Sequence, residues 1–171
     1  MSEEILACFD EQGNEIDPQP RSEVLKMPRR WWCGAGNTYV VNRAGKILCS
    51  KRSDYGNKPN CWQALFGGHV KANSSFIKTA QAELEEESGL HAQLEDLVLI
   101  SKSVYEPQKY FHQKYLYVFE GDDSEINIDM EEVSEFKWLT FDEYNSAVEN
   151  DPSSWTNHCP VEDQQKIKNL L

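Results

Sequence analysis

Between Phe76 and Leu90 the apolar residues Phe76, Ala80 and Leu84 recur every fourth position, the spacing of one helix face. Gly67 and Gly68 precede the run and Gly89 follows it, where a left-handed residue commonly ends a helix. The pattern predicts a glycine turn, a helix and a helix stop. Elsewhere the period is two. Tyr110–Phe119 alternates like a half-buried strand, and Leu94–Ser103 and Glu135–Leu139 read as further strands. Asn37–Asn42 and Lys46–Lys51 form a strand pair around Arg43-Ala44-Gly45. Ile5–Asp10 and Glu15–Asp17 flank the turn signal Glu11-Gln12-Gly13-Asn14, a short hairpin that Pro18 and Pro20 are expected to break. Arg21–Met27 suggests one or two helical turns beginning near Ser22. Phe141–Asn150 reads as a helix with Thr140 or Asp142 near its N-cap and Pro152 beyond its end. Val161–Leu171 is a final amphipathic helix that either docks or frays. Ser53–Asn60, with Gly56 and Pro59, is a polar loop, and Asp122–Glu132 is an acidic, solvated one. Strands and helices mix without a strict βαβ repeat, which predicts an α/β fold with a mixed sheet between helices.

Composition narrows this picture. A chain of 171 residues with 39% hydrophobic content suits one compact domain over 1–171. Its segments are the hairpin and short helix of 1–28, the glycine–helix unit of 67–90 and the closing helix of 160–171. A net charge of −12 opposes binding to long nucleic acids, though not to a small polyanion bridged by metal. No apolar segment approaches the ~20 residues that span a bilayer, and MSEEILACFDEQG lacks a signal-peptide apolar run. Cys8, Cys33, Cys49, Cys61 and Cys159 are odd in number without a C-x-x-C spacing. Reduced thiols in a cytoplasmic protein are expected.

The charge at the end of the central helix stands out. Glu83, Glu85, Glu86 and Glu87 crowd its last turns, and Glu83, Glu86 and Glu87 share a face. Carboxylates there oppose the helix dipole by roughly 0.3–1 kcal/mol each, and like charges at i,i+4 add about 0.2–0.5 kcal/mol of repulsion per pair. An acidic run is most often just a solvated face. The glycine turn and the cap on either side favour a divalent ion, and hard oxygen ligands suit Mg²⁺ or Mn²⁺.

Gly67 to Leu90, GGHVKANSSFIKTAQAELEEESGL, resembles the Nudix box: G, five residues, E, seven residues, R-E-U-x-E-E-x-G-U, with U aliphatic. From Gly68, seven of the nine defined positions match, including Glu83, Leu84, Glu86, Glu87, Gly89 and Leu90. Ser74 replaces the first glutamate, where its hydroxyl can also help cap the helix, and Ala82 replaces the arginine. The opening hairpin, NRAGKILCSKRS and EVSEFKWL extend a similarity to the branch related to isopentenyl diphosphate isomerase, covering roughly residues 5–145. The resemblance implies a Nudix α/β/α sandwich and metal-dependent hydrolysis of a nucleoside diphosphate linked to another group. It implies Glu83, Glu86, Glu87 and the Gly68 carbonyl as metal ligands, with Glu86 and Glu83 catalytic, and it offers Glu132 as a general base or merely an exposed acid. In related proteins the loop before the box carries P-G-x-W, read here as Pro59-Asn60-Cys61-Trp62, with Trp62 a core or wall residue. Lys51, Arg52 and Lys58 flank that loop as phosphate contacts or as ordinary surface cations; the Arg52 fork suits phosphate best. His69 is either a substrate contact or a hydrogen-bonding turn residue.

Two other readings stay open. An isomerase would carry its catalytic cysteine where Gly67 stands and early histidines where Arg29-Arg30-Trp31-Trp32 stands. A non-catalytic binding module is suggested by Ser74 and Ala82, and opposed by the three retained glutamates. Trp31, Trp32, Tyr105, Tyr110 and Phe111 stack on a base, line an apolar pocket or fill the core.

Overall fold

The computed structural model describes residues 3–54, 58–128, 130–156 and 158–171. Its frame is β3 (Trp32–Asn42), buried along almost its whole length. In a strand buried on both sides, alternate residues feed two cores. Val40 joins Phe66, Ala80 and Leu84 on one face, while Tyr39 and Val41 join Ile47, Phe141, Tyr144 and Ile167 on the other. A third cluster lies further along that second face, where Cys33 and Ala35 meet Leu6, Cys8 and Val24.

Around β3 the sheet is mixed. β8 (Tyr110–Phe119) pairs with it in parallel from Cys33↔Tyr110 to Asn42↔Phe119. The remaining pairings are antiparallel: β1 (Ile5–Phe9) and β2 (Glu15–Pro20) on one flank, and β4 (Ile47–Arg52), β5 (Trp62–Gln63) and β9 (Val133–Leu139) on the other. β6 (Phe66–His69) lies against the first half of β3, and β7 (Val98–Tyr105) against β8. α2 (Phe76–Ser88) packs over β3 on one face. On the other, α3 (Phe141–Asn150) and α4 (Val161–Leu170) supply Phe141, Tyr144 and Ile167, and α1 (Arg21–Val24) supplies Val24. This is the α/β fold with helices on both sides of a mixed sheet.

The glycines of β3 explain the closeness of α2. A Cβ on Gly36 would sit 2.0 Å from the Phe76 carbonyl oxygen and 2.9 Å from the Ala80 nitrogen. The Thr38 hydroxyl donates to the Ala80 carbonyl at 3.1 Å, tying sheet and helix together. At the far end Gly89 adopts φ +72°, the left-handed cap, and its N–H donates to Glu85 O at 2.8 Å.

Several sequence expectations are corrected. β2 runs through Pro18 to Pro20 rather than breaking there; it is an outer strand, where proline is tolerated. α1 ends at Val24 rather than continuing to Met27. β3 begins at Trp32, before the expected Asn37, because Gly34 and Gly36 are approach points for α2 and not breaks. Leu94–Asp96 is a 3-10 turn and the strand starts at Val98. Ser75, not Ser74, caps α2, accepting from the Lys78 N–H at 3.4 Å. α4 docks rather than frays, burying Asp163, Gln164 and Ile167. Gly56 of the predicted polar loop lies outside the described residues.

Candidate functional site

α2 delivers its carboxylates at graded depth. Glu87 shares a face with Ala80 and Leu84 and is turned into the protein, 6% exposed. Glu83 is half-buried and Glu86 is exposed. The last turn presses against β6, whose consecutive glycines present no side chains. Gly68 is covered by Glu83: a Cβ there would lie 2.5 Å from the Glu83 carboxyl carbon. The Gly67 N–H and the Gln63 side chain (3.4 Å) both donate to Glu87. Glu132, in the loop before β9, adds its charge from outside the helix, and its carbonyl accepts from the Ser53 N–H at 2.9 Å.

Burial and mutual repulsion dominate the electrostatics. The Glu83 carboxyl is pushed up to about 7, first by burial and then by Glu86 and Glu132, against a lowering by Lys71. Glu87 is raised well above the ordinary carboxylate range, by burial and then by Glu83 and Glu132; Arg52 opposes the shift. Like charges this close favour the neutral acid or a bound cation. Among the described residues no three acidic, histidine or cysteine side chains already converge at metal-ligand positions. The exposed Glu86 is the member with freedom to swing in. Its outer side opens on a groove of about 790 Å³ lined also by Glu85, His91, Tyr117 and Glu125.

Other residues singled out in the sequence divide. Arg52 belongs to this cluster: its Nη1 donates to Gln63 Oε1 at 3.2 Å, and Gln63 donates in turn to Glu87. Lys51 points elsewhere, paired with Glu135 at 2.7 Å. Lys58 lies in an exposed turn with φ +54°. His69 ends β6 on the opposite face of the sheet, 5.6 Å from the Tyr110 ring; burial, then Arg21 and Arg29, lowers its pKa to about 4. Trp62 is half-buried, with Lys137 Nζ 3.6 Å from its ring centroid and Trp155 alongside. Trp32 and Tyr110 are buried, whereas Tyr105 is 50% exposed.

Sequence reasoning missed Gln63 and Lys71. Gln63 is a polar residue in a short strand, buried to 2% exposure without any pattern to mark it. Lys71 pairs with Glu4 at 3.3 Å and lies close enough to Glu83 and Glu86 to feel both charges. Only the approach of the N-terminal segment reveals that cation. Ser74 Oγ lies 3.4 Å from Thr79 Oγ1, and Ala82 is exposed.

The family model described as NUDIX domain matches residues 34–159. The chain is 25% identical over 159 residues to an isopentenyl-diphosphate Delta-isomerase 2 of Photorhabdus laumondii, covering 90% of this chain and 87% of that protein. It is 27% identical over 139 residues to an uncharacterized Nudix hydrolase of Pseudomonas aeruginosa, covering 80% and 78%. The crystal structure of DR0079 from Deinococcus radiodurans superposes with a TM-score of 0.69 at 16% identity, covering 97% of this chain and 98% of that one. A bifunctional NMN adenylyltransferase/ADP ribose pyrophosphatase of Francisella tularensis, complexed with AMP and manganese, gives a TM-score of 0.56 at 21% identity. It covers 86% of this chain and 43% of that one. At these identities the structural likeness is one of fold.

Proposed function

The chain belongs to the NUDIX domain family, and from that premise we propose that it is a metal-dependent hydrolase that cleaves a diphosphate linkage in a small nucleoside-diphosphate-type substrate. The carrying observation is the carboxylate cluster. Glu83 is half-buried and Glu87 buried, and both are held above the ordinary carboxylate range by burial first, then by Glu86 and Glu132 at Glu83 and by Glu83 and Glu132 at Glu87. An array of hard oxygen donors under such repulsion fits a divalent cation. The bare Gly68 backbone beneath Glu83 leaves room for its carbonyl to join them. Glu83, Glu86, Glu87 and the Gly68 carbonyl would hold Mg²⁺ or Mn²⁺. Such an ion supplies charge neutralisation at the diphosphate oxygens, the main requirement of phosphoryl transfer.

The chain's own residues do the rest. A water oxygen attacks one phosphorus, the anhydride P–O bond breaks, and the bridging oxygen leaves with the other phosphate. We assign Glu132 to take the proton of the attacking water, since it alone of the four sits on a loop. Gln63 orients Glu87 and braces Arg52 through its amide, and we assign the Arg52 guanidinium as the phosphate contact. Lys51, Lys58 and His69 are the more distant candidates for binding substrate. We take 1–171 as one domain acting in the cytoplasm; among the described residues no helix is long and apolar enough to cross a membrane.

The likeness to an isomerase favours a second reading. Against it, the residue before Gly68 is Gly67, so no thiol adjoins the carboxylates. Cys33, on the opposite face of the sheet, is buried and raised to about 11, a poor acid–base group at neutral pH. A screen of diphosphates with Mg²⁺ or Mn²⁺ tests the proposal. Turnover is expected, with Glu86→Gln slowing it at least tenfold and leaving the fold intact because Glu86 is exposed. Metal binding by calorimetry without turnover of any diphosphate would assign a binding module instead. Proton exchange into isopentenyl diphosphate would assign an isomerase.

A further inference from the structure

On the face of the sheet away from the carboxylates, two cysteines stand opposite one another across the seam between β1 and β3. Cys8 pairs with Cys33 in the antiparallel register, and both are buried in one cluster with Leu6, Val24, Ala35 and Tyr110. Their backbones fix how close they stand. The Cys33 N–H donates to Lys109 O at 3.0 Å, so the backbone polar groups of Cys33 face β8. The Ala7 N–H donates to Val70 O at 2.9 Å, which turns those of the next residue, Cys8, toward β2. The two cysteines therefore form a non-hydrogen-bonded pair, and antiparallel pairs of that kind bring their Cα atoms to about 4.5 Å. A disulfide spans Cα separations of roughly 4.4–6.8 Å.

Both thiols are free in this fold, and their sulfurs point apart. Cys8 Sγ donates to Leu6 O at 3.8 Å, while Cys33 Sγ lies 3.9 Å from Lys109 O and accepts from Arg29 Nη1 at 3.0 Å. Rotation about χ1 between staggered wells carries one sulfur toward the other. A guanidinium against a sulfur favours the thiolate, which is the nucleophilic form. Burial opposes it: both thiols are raised, Cys33 to about 11, so the chemistry waits on opening of the seam. That seam is short. Among the described residues β1 pairs with β3 only at Cys8↔Cys33 and Phe9↔Trp32, whereas β8 follows β3 from Cys33 to Asn42. Beyond β1 lies the outer strand β2, and a peripheral hairpin on a short seam belongs to the readily opened end of a fold.

We infer that Cys8 and Cys33 are a redox-responsive pair, joined as a cross-strand disulfide by peroxide and reopened by a small thiol. The Cys33 thiolate attacks one peroxide oxygen: the S–O bond forms, the O–O bond breaks, and the departing hydroxide takes up a proton as water. The Cys8 sulfur then attacks the sulfenic sulfur across the seam. The S–S bond forms, the S–O bond breaks, and a second water leaves with the Cys8 proton. Two thiols give up two electrons, and one peroxide accepts them. A thiol such as glutathione reverses the step by exchange through a mixed disulfide. The new bond closes the loop from residue 8 to residue 33, which holds β2 and α1, and so restricts the unfolded chain. It also secures β1, whose Ile5 O and Ala7 N–H bond the turn at Ala72 and Val70 that leads from Gly68 into α2. Oxidation thereby clamps the N-terminal hairpin to the strand on which α2 packs. No metal or substrate takes part, so the pair stands whether or not the chain is a hydrolase.

The test is exposure of the whole chain to hydrogen peroxide, followed by peptide mapping without reduction and by thermal melts. The expected product links the Cys8 peptide to the Cys33 peptide within one molecule, with the loss of two hydrogens in the intact mass. Its melting temperature should lie several degrees above that of the reduced protein, and dithiothreitol should restore both the mass and the melt. Cys8→Ala should abolish the shift and leave a sulfenic acid on Cys33 that a cyclic 1,3-diketone captures. Cys61→Ser removes the least buried of the five thiols and should change neither the link nor the shift. The wild-type map decides the matter even where Cys8→Ala does not fold. Thiols at 8 and 33 still reduced after peroxide, linkage of either one to Cys61 or to a second chain, or a disulfide that leaves the melt unmoved would each overturn the inference.

Discussion

Burial and their acidic neighbours make Glu83 and Glu87 harder to ionise, and that coupling sets a measurable pH dependence. Glu83 rises from the ordinary 4.5 to about 7 in the fold. A raised acid keeps its proton in the native state and loses it in the unfolded chain. Its stabilising contribution is thus full below pH 4.5 and is lost as pH climbs to about 7. His69 and His112 act oppositely: both fall from 6.5 to about 4, chiefly through burial. Their contribution is full above pH 6.5 and is lost as pH falls to about 4. The windows overlap and the slopes oppose, so the metal-free protein should show a shallow stability profile between them. Glu83→Gln should unmask the histidines. The variant is expected to lose stability more steeply on acidification, and to exceed the wild type above pH 7 by on the order of 1–3 kcal/mol. Urea midpoints across a pH series check this, and parallel curves would refute it. Saturating Mg²⁺ should narrow the difference above pH 7, because the ion relieves the same repulsion.

At the scale of the element, α2 is a lever that sets where those carboxylates sit. Ser75 supplies its N-cap, so Ser75→Ala should cost about 1 kcal/mol. Ser74→Ala should cost a few tenths, since Ser74 Oγ only approaches Thr79 Oγ1 at 3.4 Å. Thermal melts of the pair decide which serine caps the helix. Gly36→Ala is harsher, because a methyl 2.0 Å from the Phe76 carbonyl oxygen must lift the helix off β3. A loss of roughly 3 kcal/mol or more is expected, together with hydrolysis, as Glu83 leaves Gly68. The sequence disclosed what is local in this unit: the apolar stripe, the left-handed stop at Gly89 and the shared face of the glutamates. It did not disclose their graded burial, which depends on how close β6 comes. The early start of β3 was equally hidden, because Gly34 and Gly36 carry no side chain to mark a strand and serve as approach points only once α2 lies against them. Gln63 and Lys71 gave no local signal, since each acquires its role from a distant strand or segment.

For the whole molecule, the open question in the sequence was whether its last helix belongs to the body. Asp163 decides it. The carboxylate sits buried under α4 and accepts from Tyr39 Oη at 2.9 Å, Lys114 Nζ at 3.1 Å and Ser101 Oγ at 3.2 Å. Three strands are thereby fastened to one helix, over the core that Tyr39 shares with Ile167. Amphipathic periodicity alone could not settle this, because a helix of that pattern docks only if the sheet offers partners. Lys114 is nearly as enclosed as Asp163, at 14% against 5% side-chain exposure. Removing one partner of such a pair strands the other charge, at a cost of about 3–5 kcal/mol. That is a large part of the roughly 5–15 kcal/mol that holds a domain together. Asp163→Ala is therefore expected to lower the urea midpoint sharply and to expose Val161–Leu170 to limited proteolysis, whereas Asp163→Asn keeps an acceptor and should lose less.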